Sequence, residues 1–128
     1  MIILDENIDF FERQKLAKMK IQFRRIGYDI GRYGMKDRNE IIPLLHTLRH
    51  PTFFTRDHDF YHPWLRHPGY CLVFVEVNLD EIAKFIRRFL RHPKFRTQAQ
   101  RLGKVIKVSE IGIHAWHVGA GEAEEVDW

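Results

Sequence analysis

A chain of 128 residues with 45% hydrophobic and 30% charged side chains suits one soluble domain with its own core, and excludes a disordered chain. The formal charge of +4 is a mild basic bias, and the single cysteine, Cys71, excludes an internal disulfide and a multi-cysteine zinc or iron–sulfur centre. No apolar run reaches the roughly 18 residues of a membrane span, and no basic segment precedes the first apolar run, so no membrane association and a cytoplasmic location are expected.

Residues 1–4 form a short apolar run ending in acids and read as a buried strand. Residues 10–26 carry Leu16, Met19, Phe23 and Ile26 at helical spacing, and Gly27 ends that helix. A second strand is expected over 28–33. A helix follows over 37–49, with Ile41, Leu45 and Leu48 on one face and Pro43 in tension with it. Thr52–Thr55 reads as the third strand, followed by a loop rich in His and Pro over 57–69. Residues 70–77 are apolar on both faces and read as a central strand of a parallel sheet. Behind Asn78 a helix carries Ile82, Phe85, Ile86 and Phe89 on one face, ended by Pro93, with another helical piece over 94–102. Strands over 104–108 and 111–116, joined at Ser109 and Glu110, complete an edge hairpin. Alternating strands and helices give an α/β class with a mainly parallel sheet and right-handed crossovers. One domain over 1–118 is expected, with an acidic, flexible tail over 119–128.

Functional groups in open α/β sheets gather at the carboxyl ends of the strands. Asp5 closes the first strand, Asp37 and Glu40 open the helix after the second, and Asp57 and Asp59 follow the third. Carboxylates brought together repel unless a cation neutralises them, and oxygen-only ligands favour Mg²⁺ or Mn²⁺. Such ions serve phosphodiester hydrolysis. Each acid also has a plainer role: Asp37 as a helix cap, Asp57 and Asp59 as turn formers. The stretch 84–107 holds nine basic residues and no acid, which fits a phosphate-facing surface or a solvated face equally well. Of eight histidines, His58 lies between two of the acids and could reach a phosphate or a metal.

Three segments in order, Ile3-Leu-Asp-Glu-Asn7, Gly27-Tyr-Asp-Ile30 and Phe54-Thr-Arg-Asp-His-Asp-Phe60, resemble the PIN-like domains, specifically the small branch described as toxin components of toxin–antitoxin pairs. The resemblance spans roughly residues 1–90. It implies a three-layer α/β/α sandwich and a Mg²⁺- or Mn²⁺-dependent ribonuclease, with an RNA substrate, an antitoxin partner and a homodimer as associations. By position it makes Asp5, Glu40, Asp57 and Asp59 the catalytic metal ligands. Asn7, Thr55 and Asp37 would orient them, and Arg56, Lys36, Arg38 and His58 would contact the RNA. Tyr61 stands where that branch often has Gly. A non-catalytic nucleic-acid- or protein-binding module on the same fold is the alternative. A phosphoacceptor receiver is disfavoured, because the fourth strand ends Val77-Asn78 and Lys107 falls inside its strand.

Overall fold

The computed structural model describes residues 1–128. In chain order the elements are β1 (Ile2–Leu4), α1 (Phe10–Lys18), β2 (Arg24–Arg25), α2 (Arg38–Thr47), β3 (Thr52–Thr55), β4 (Cys71–Glu76), α3 (Ile82–Arg91), α4 (Gln98–Arg101), β5 (Lys104–Ser109), β6 (Gly112–His117) and β7 (Glu124–Val126). All seven strands form one sheet in the order β2-β1-β3-β4-β5-β6-β7. Pairing is parallel from β2 to β5 and antiparallel from β5 to β7. The α/β class and mainly parallel sheet expected from the sequence are those observed. No helix is long and apolar enough to cross a membrane.

Strand alternation sends neighbouring residues to opposite faces. Leu4, Phe54, Val73 and Ile106 meet Leu16 of α1 and Ile86 and Phe89 of α3. Ile3, Phe53, Leu72 and Val105 meet Ile41 and Leu45 of α2 on the other side. The adjacent pair Phe53 and Phe54 therefore anchors both cores, with Phe54 5.8 Å from Phe89 and Phe53 5.1 Å from Phe60 between ring centres. Truncating either to Ala would cost about 3–5 kcal/mol.

The first helix is shorter than its apolar stripe suggests. Lys20 takes a left-handed backbone (φ 61°), which stops α1 and turns the chain, while Ile21 and Phe23 still pack against the core from outside the helix. Glu12 is 2% exposed yet satisfied: it pairs with Lys15 at 2.6 Å and accepts the Ala83 N–H at 2.9 Å, tying α1 to the start of α3.

The second strand is Arg24–Arg25, not 28–33. Gly27, Gly31 and Gly34 all adopt positive φ, which makes 27–34 a loop rather than an extended run. Asp29 belongs to that loop and pins it by accepting the Arg25 N–H at 2.8 Å. Helix α2 runs through Pro43, which forgoes one backbone bond to the preceding turn.

The hairpin β5–β6 forms as expected but is not the edge. Residues 124–126 pair with β6, Val126 is buried, and the Trp128 indole donates to Ser109 O at 2.7 Å. The stretch expected to be a flexible tail thus completes the sheet. Its two apolar anchors outweigh the four acids that made it read as frayed.

The connections through α1 and α2 run in opposite directions on opposite faces and so share one hand. The connection from β4 to β5 runs rightward along the same face that α1 crosses leftward, so it has the other hand. Uniform right-handed crossovers do not hold here. The intervening residues 77–103 are long enough to make the detour. They are fastened at their end by Arg101, whose guanidinium donates to Thr52 Oγ1 at 3.0 Å and Phe95 O at 3.0 Å.

Candidate functional site

Strands β1 and β3 are neighbours, yet the chain leaves them over opposite faces, through α1 and toward β4. Their carboxyl ends therefore bound the crevice where open sheets of this kind hold ligands. Asp5 follows β1, and Thr55 ends β3.

Asp5 is 4% exposed. Its Oδ2 accepts the Thr55 hydroxyl at 2.6 Å, and its Oδ1 accepts the Glu6 N–H at 2.7 Å. The Thr55 Oγ1 in turn accepts Asn7 Nδ2 at 3.3 Å and the Asp57 N–H at 3.0 Å. One donor and two acceptor sites are all a hydroxyl has, so Thr55 is saturated and its proton must point at Asp5. Asn7 uses its other amide atom to accept the Arg56 N–H at 3.1 Å, and its backbone oxygen accepts the Arg56 guanidinium at 3.1 Å. Asn7 and Thr55, expected beside the acids, are thus joined to Asp5 in one hydrogen-bond network.

Burial is the largest influence on the Asp5 carboxyl and pushes it up to about 6; the Thr55 and Glu6 hydrogen bonds pull it down, while Asp57 and Glu6 push it further up. No Lys or Arg is within ion-pair distance of it. Above it opens a pocket of about 590 Å³ whose acids are Asp5, Glu6 and Asp57 and whose cations are Lys36 and Arg56. Tyr28 and Tyr33 stand at its wall, 56% and 79% exposed, edge to face at 5.9 Å. The Arg25 guanidinium lies 4.4 Å from the Tyr28 ring centre and supports it.

The glycine loop is tied to the acids through Glu6. The Gly34 N–H donates to Glu6 Oε1 at 2.8 Å, and a side chain at Gly27 (φ 86°) would collide with that same carboxylate. A lysine reaches the pocket from the segment before α2, whereas Lys107 stays within the β4–β5 ladder opposite Phe74.

Of the remaining expected residues only Asp57 lines the pocket. Glu40 does not line the pocket; it turns to Arg32 at 2.7 Å. Asp37 caps α2 by accepting the Asn39 N–H at 2.8 Å. Asp57 lines the pocket but spends Oδ1 on the Asp59 N–H at 2.9 Å, capping the short 3-10 turn His58–Phe60. Asp59 lies outside the main pocket, in an adjoining hollow of about 500 Å³ with Lys36, Asp37 and Arg38; Arg38 donates to the Asp59 backbone oxygen at 2.9 Å. His58 is exposed, 3.9 Å from the Asp59 carboxylate, and one ligand atom from each of Asp57, His58 and Asp59 lies within 4.8 Å of the others.

The sequence pattern had no place for Glu6, Tyr28 and Tyr33 in the site. Glu6 adjoins a residue that the pattern does select, and the tyrosines flank the glycines that look like part of a strand. Cys71 is fully buried in the core and its thiol is pushed up to about 12, so it is not a nucleophile.

An oxygen-only donor set containing one buried, uncompensated carboxylate fits a hard divalent cation. No family model, curated protein or solved structure matches the chain.

Proposed function

We propose that this protein is a divalent-metal-dependent ribonuclease of the PIN-like type, the toxin component of a toxin–antitoxin pair. The observation that carries this is the buried Asp5 carboxylate, which has no cationic partner and accepts from the Thr55 hydroxyl, whose oxygen in turn accepts the Asp57 backbone N–H. In this reading the helices on the two faces are the outer layers of a three-layer α/β/α sandwich. Asp5 and Asp57 hold Mg²⁺ or Mn²⁺, and Glu6 takes the place that the resemblance gives to Glu40. The ion, when bound, supplies a water of lowered pKa and charge stabilisation at the phosphate.

The chain's own groups do the rest. Thr55 and the Glu6 N–H hold the two Asp5 oxygens in fixed directions. Lys36 and Arg56 receive the phosphate oxygens at the pocket wall. Tyr28 and Tyr33 offer exposed ring faces to the flanking bases. Calorimetric titration of Mn²⁺ into the wild type and Asp57→Asn tests the ion site: binding in the first and none in the second is expected. Cleavage of single-stranded RNA should then require the ion and fall by about a hundredfold or more in Asp5→Asn.

A second reading has its own support. Asp57 Oδ1 is engaged in a cap, and Glu40 and Asp59 lie outside the pocket, leaving few free ligand atoms. That suits a non-catalytic binding module on the same fold. Folded wild type that takes up no divalent ion would select it.

A further inference from the structure

Helix α3 presents two stripes. Ile82, Ala83, Phe85, Ile86 and Phe89 are buried. Lys84, Arg87, Arg88 and Arg91 follow the spacing i, i+3, i+4, i+7 and share another face. At 1.5 Å rise per residue the row is about 10 Å long. These cations line a groove of about 480 Å³, closed by Met19 at the end of α1 and by Trp128; no Asp or Glu side chain lines it.

A basic stripe on a solvated helix is ordinary, and three features set this one apart. First, the row is unbalanced: only Lys84 has an acid partner, Glu81 at 3.4 Å, and the three arginines have none. Second, Arg87 Nε is buried and has no hydrogen-bond partner, the one such side-chain atom in the protein. A buried donor without an acceptor is costly, and a rotation of the Arg87 side chain toward an anion in the groove would supply one. Third, the apolar wall is fixed in place. The Trp128 indole is held by Ser109 O, and the Arg88 guanidinium sits 4.5 Å from its ring centre.

We infer that this groove is a binding site for the phosphate backbone of a nucleic-acid strand, separate from the acidic pocket. A row of about 10 Å exceeds one phosphate and suits successive ones. Arginine forks match phosphate oxygens two at a time. Met19 and Trp128 give apolar surface for a ribose or base between the charges. The site lies on the α1–α3 face and does not depend on hydrolysis at Asp5.

The test is binding of a short fluorescent single-stranded RNA, followed by anisotropy in excess chelator so that no cleavage intervenes. The wild type should bind with a steep loss of affinity as salt rises. The double variant Arg88→Gln, Arg91→Gln should bind about tenfold more weakly at low salt, with the slope of log K against log salt reduced by about 1.4, or 0.7 for each phosphate no longer neutralised. Lys84→Gln with Arg91→Gln leaves the surroundings of Trp128 intact and should act alike. Arg49→Gln, an exposed cation beyond the end of α2, should bind as the wild type does, which separates this row from general basic charge. Unchanged affinity and slope in both folded double variants overturns the proposal. Displacement of the RNA by inorganic phosphate or a mononucleotide at concentrations that leave the ionic strength unchanged would mark a single-anion site. Displacement by polyglutamate at lower concentration than by unlabelled RNA would mark an acidic protein segment. Either overturns the strand as occupant.

Discussion

Asp5 and Arg91 mark two ways of placing charge on one small sheet. Asp5 is buried at the end of a strand, fixed by two neutral donors and opposed by no cation. Arg91 is exposed on a helix whose stability comes from its other face. The acidic pocket is therefore held at some expense of folding free energy, and the basic row at almost none. A costly arrangement built into rigid strand ends marks a site that needs exact geometry; a cheap one on a helix surface needs only the right sign of charge.

The two regions should differ most in their effect on turnover. With RNA as substrate, Asp5→Asn should lower kcat by about a hundredfold to a thousandfold, as loss of a central electrostatic group does elsewhere. Arg88→Gln with Arg91→Gln should raise KM and leave kcat unchanged. Steady-state kinetics in Mn²⁺ checks both, and a fall in kcat in the arginine variant would merge the two sites into one.

Stability against pH sharpens the contrast next. The Asp5 carboxyl moves from 3.8 to about 6 on folding. The folded chain thus holds a proton that the unfolded chain has released, and the stability this lends is present at acid pH and lost as pH rises through 6. A shift of this size corresponds to about 3 kcal/mol. Denaturant unfolding of wild type minus Asp5→Asn should show that fall between pH 4 and 6, and saturating Mg²⁺ should remove it by keeping Asp5 ionised. At neutral pH the Asn variant escapes the charge penalty but sets its amide donor against the saturated Thr55 hydroxyl or the Glu6 N–H. The two changes roughly cancel, and wild type and variant should differ there by no more than about 1–2 kcal/mol.

Thr55→Val removes the donor to Asp5 and the acceptor of the Asp57 N–H. A loss of about 1–3 kcal/mol is expected, and the Asp5 carboxyl should titrate above 6 because the Thr55 bond holds it down. Thr55→Ser should restore both, which carbon-detected NMR titration can follow. The smallest effect belongs to the basic row: Lys84→Gln with Arg91→Gln should change stability by under about 0.5 kcal/mol.

The strands with dense apolar runs were legible before the structure, and so was the placing of Asp5, Asn7, Thr55 and Asp57 at one end of the sheet. In those segments local pattern and global fold agree. What escaped was decided by single backbone angles or by distant partners. Lys20 ends α1 with a left-handed turn that no periodicity announces. The glycines of 27–34 turn an apparent strand into the loop that brings Tyr28 and Tyr33 to the pocket. Glu40 lies in the first turn of α2, but its carboxylate pairs with Arg32 and does not line the pocket. Val126 and Trp128 are too few to read as a strand until β6 is there to receive them.

The sheet ends on its shortest strands. One edge is Arg24–Arg25, and the other carries Glu124 and Glu125. Short, charged edges discourage the strand-to-strand accretion that open sheets invite. Their signs add a direction. Asp29 and Lys94 already offset part of these charges, so what attraction remains between unlike edges is weak, favours a head-to-tail contact over a symmetric pair, and fades as salt is added.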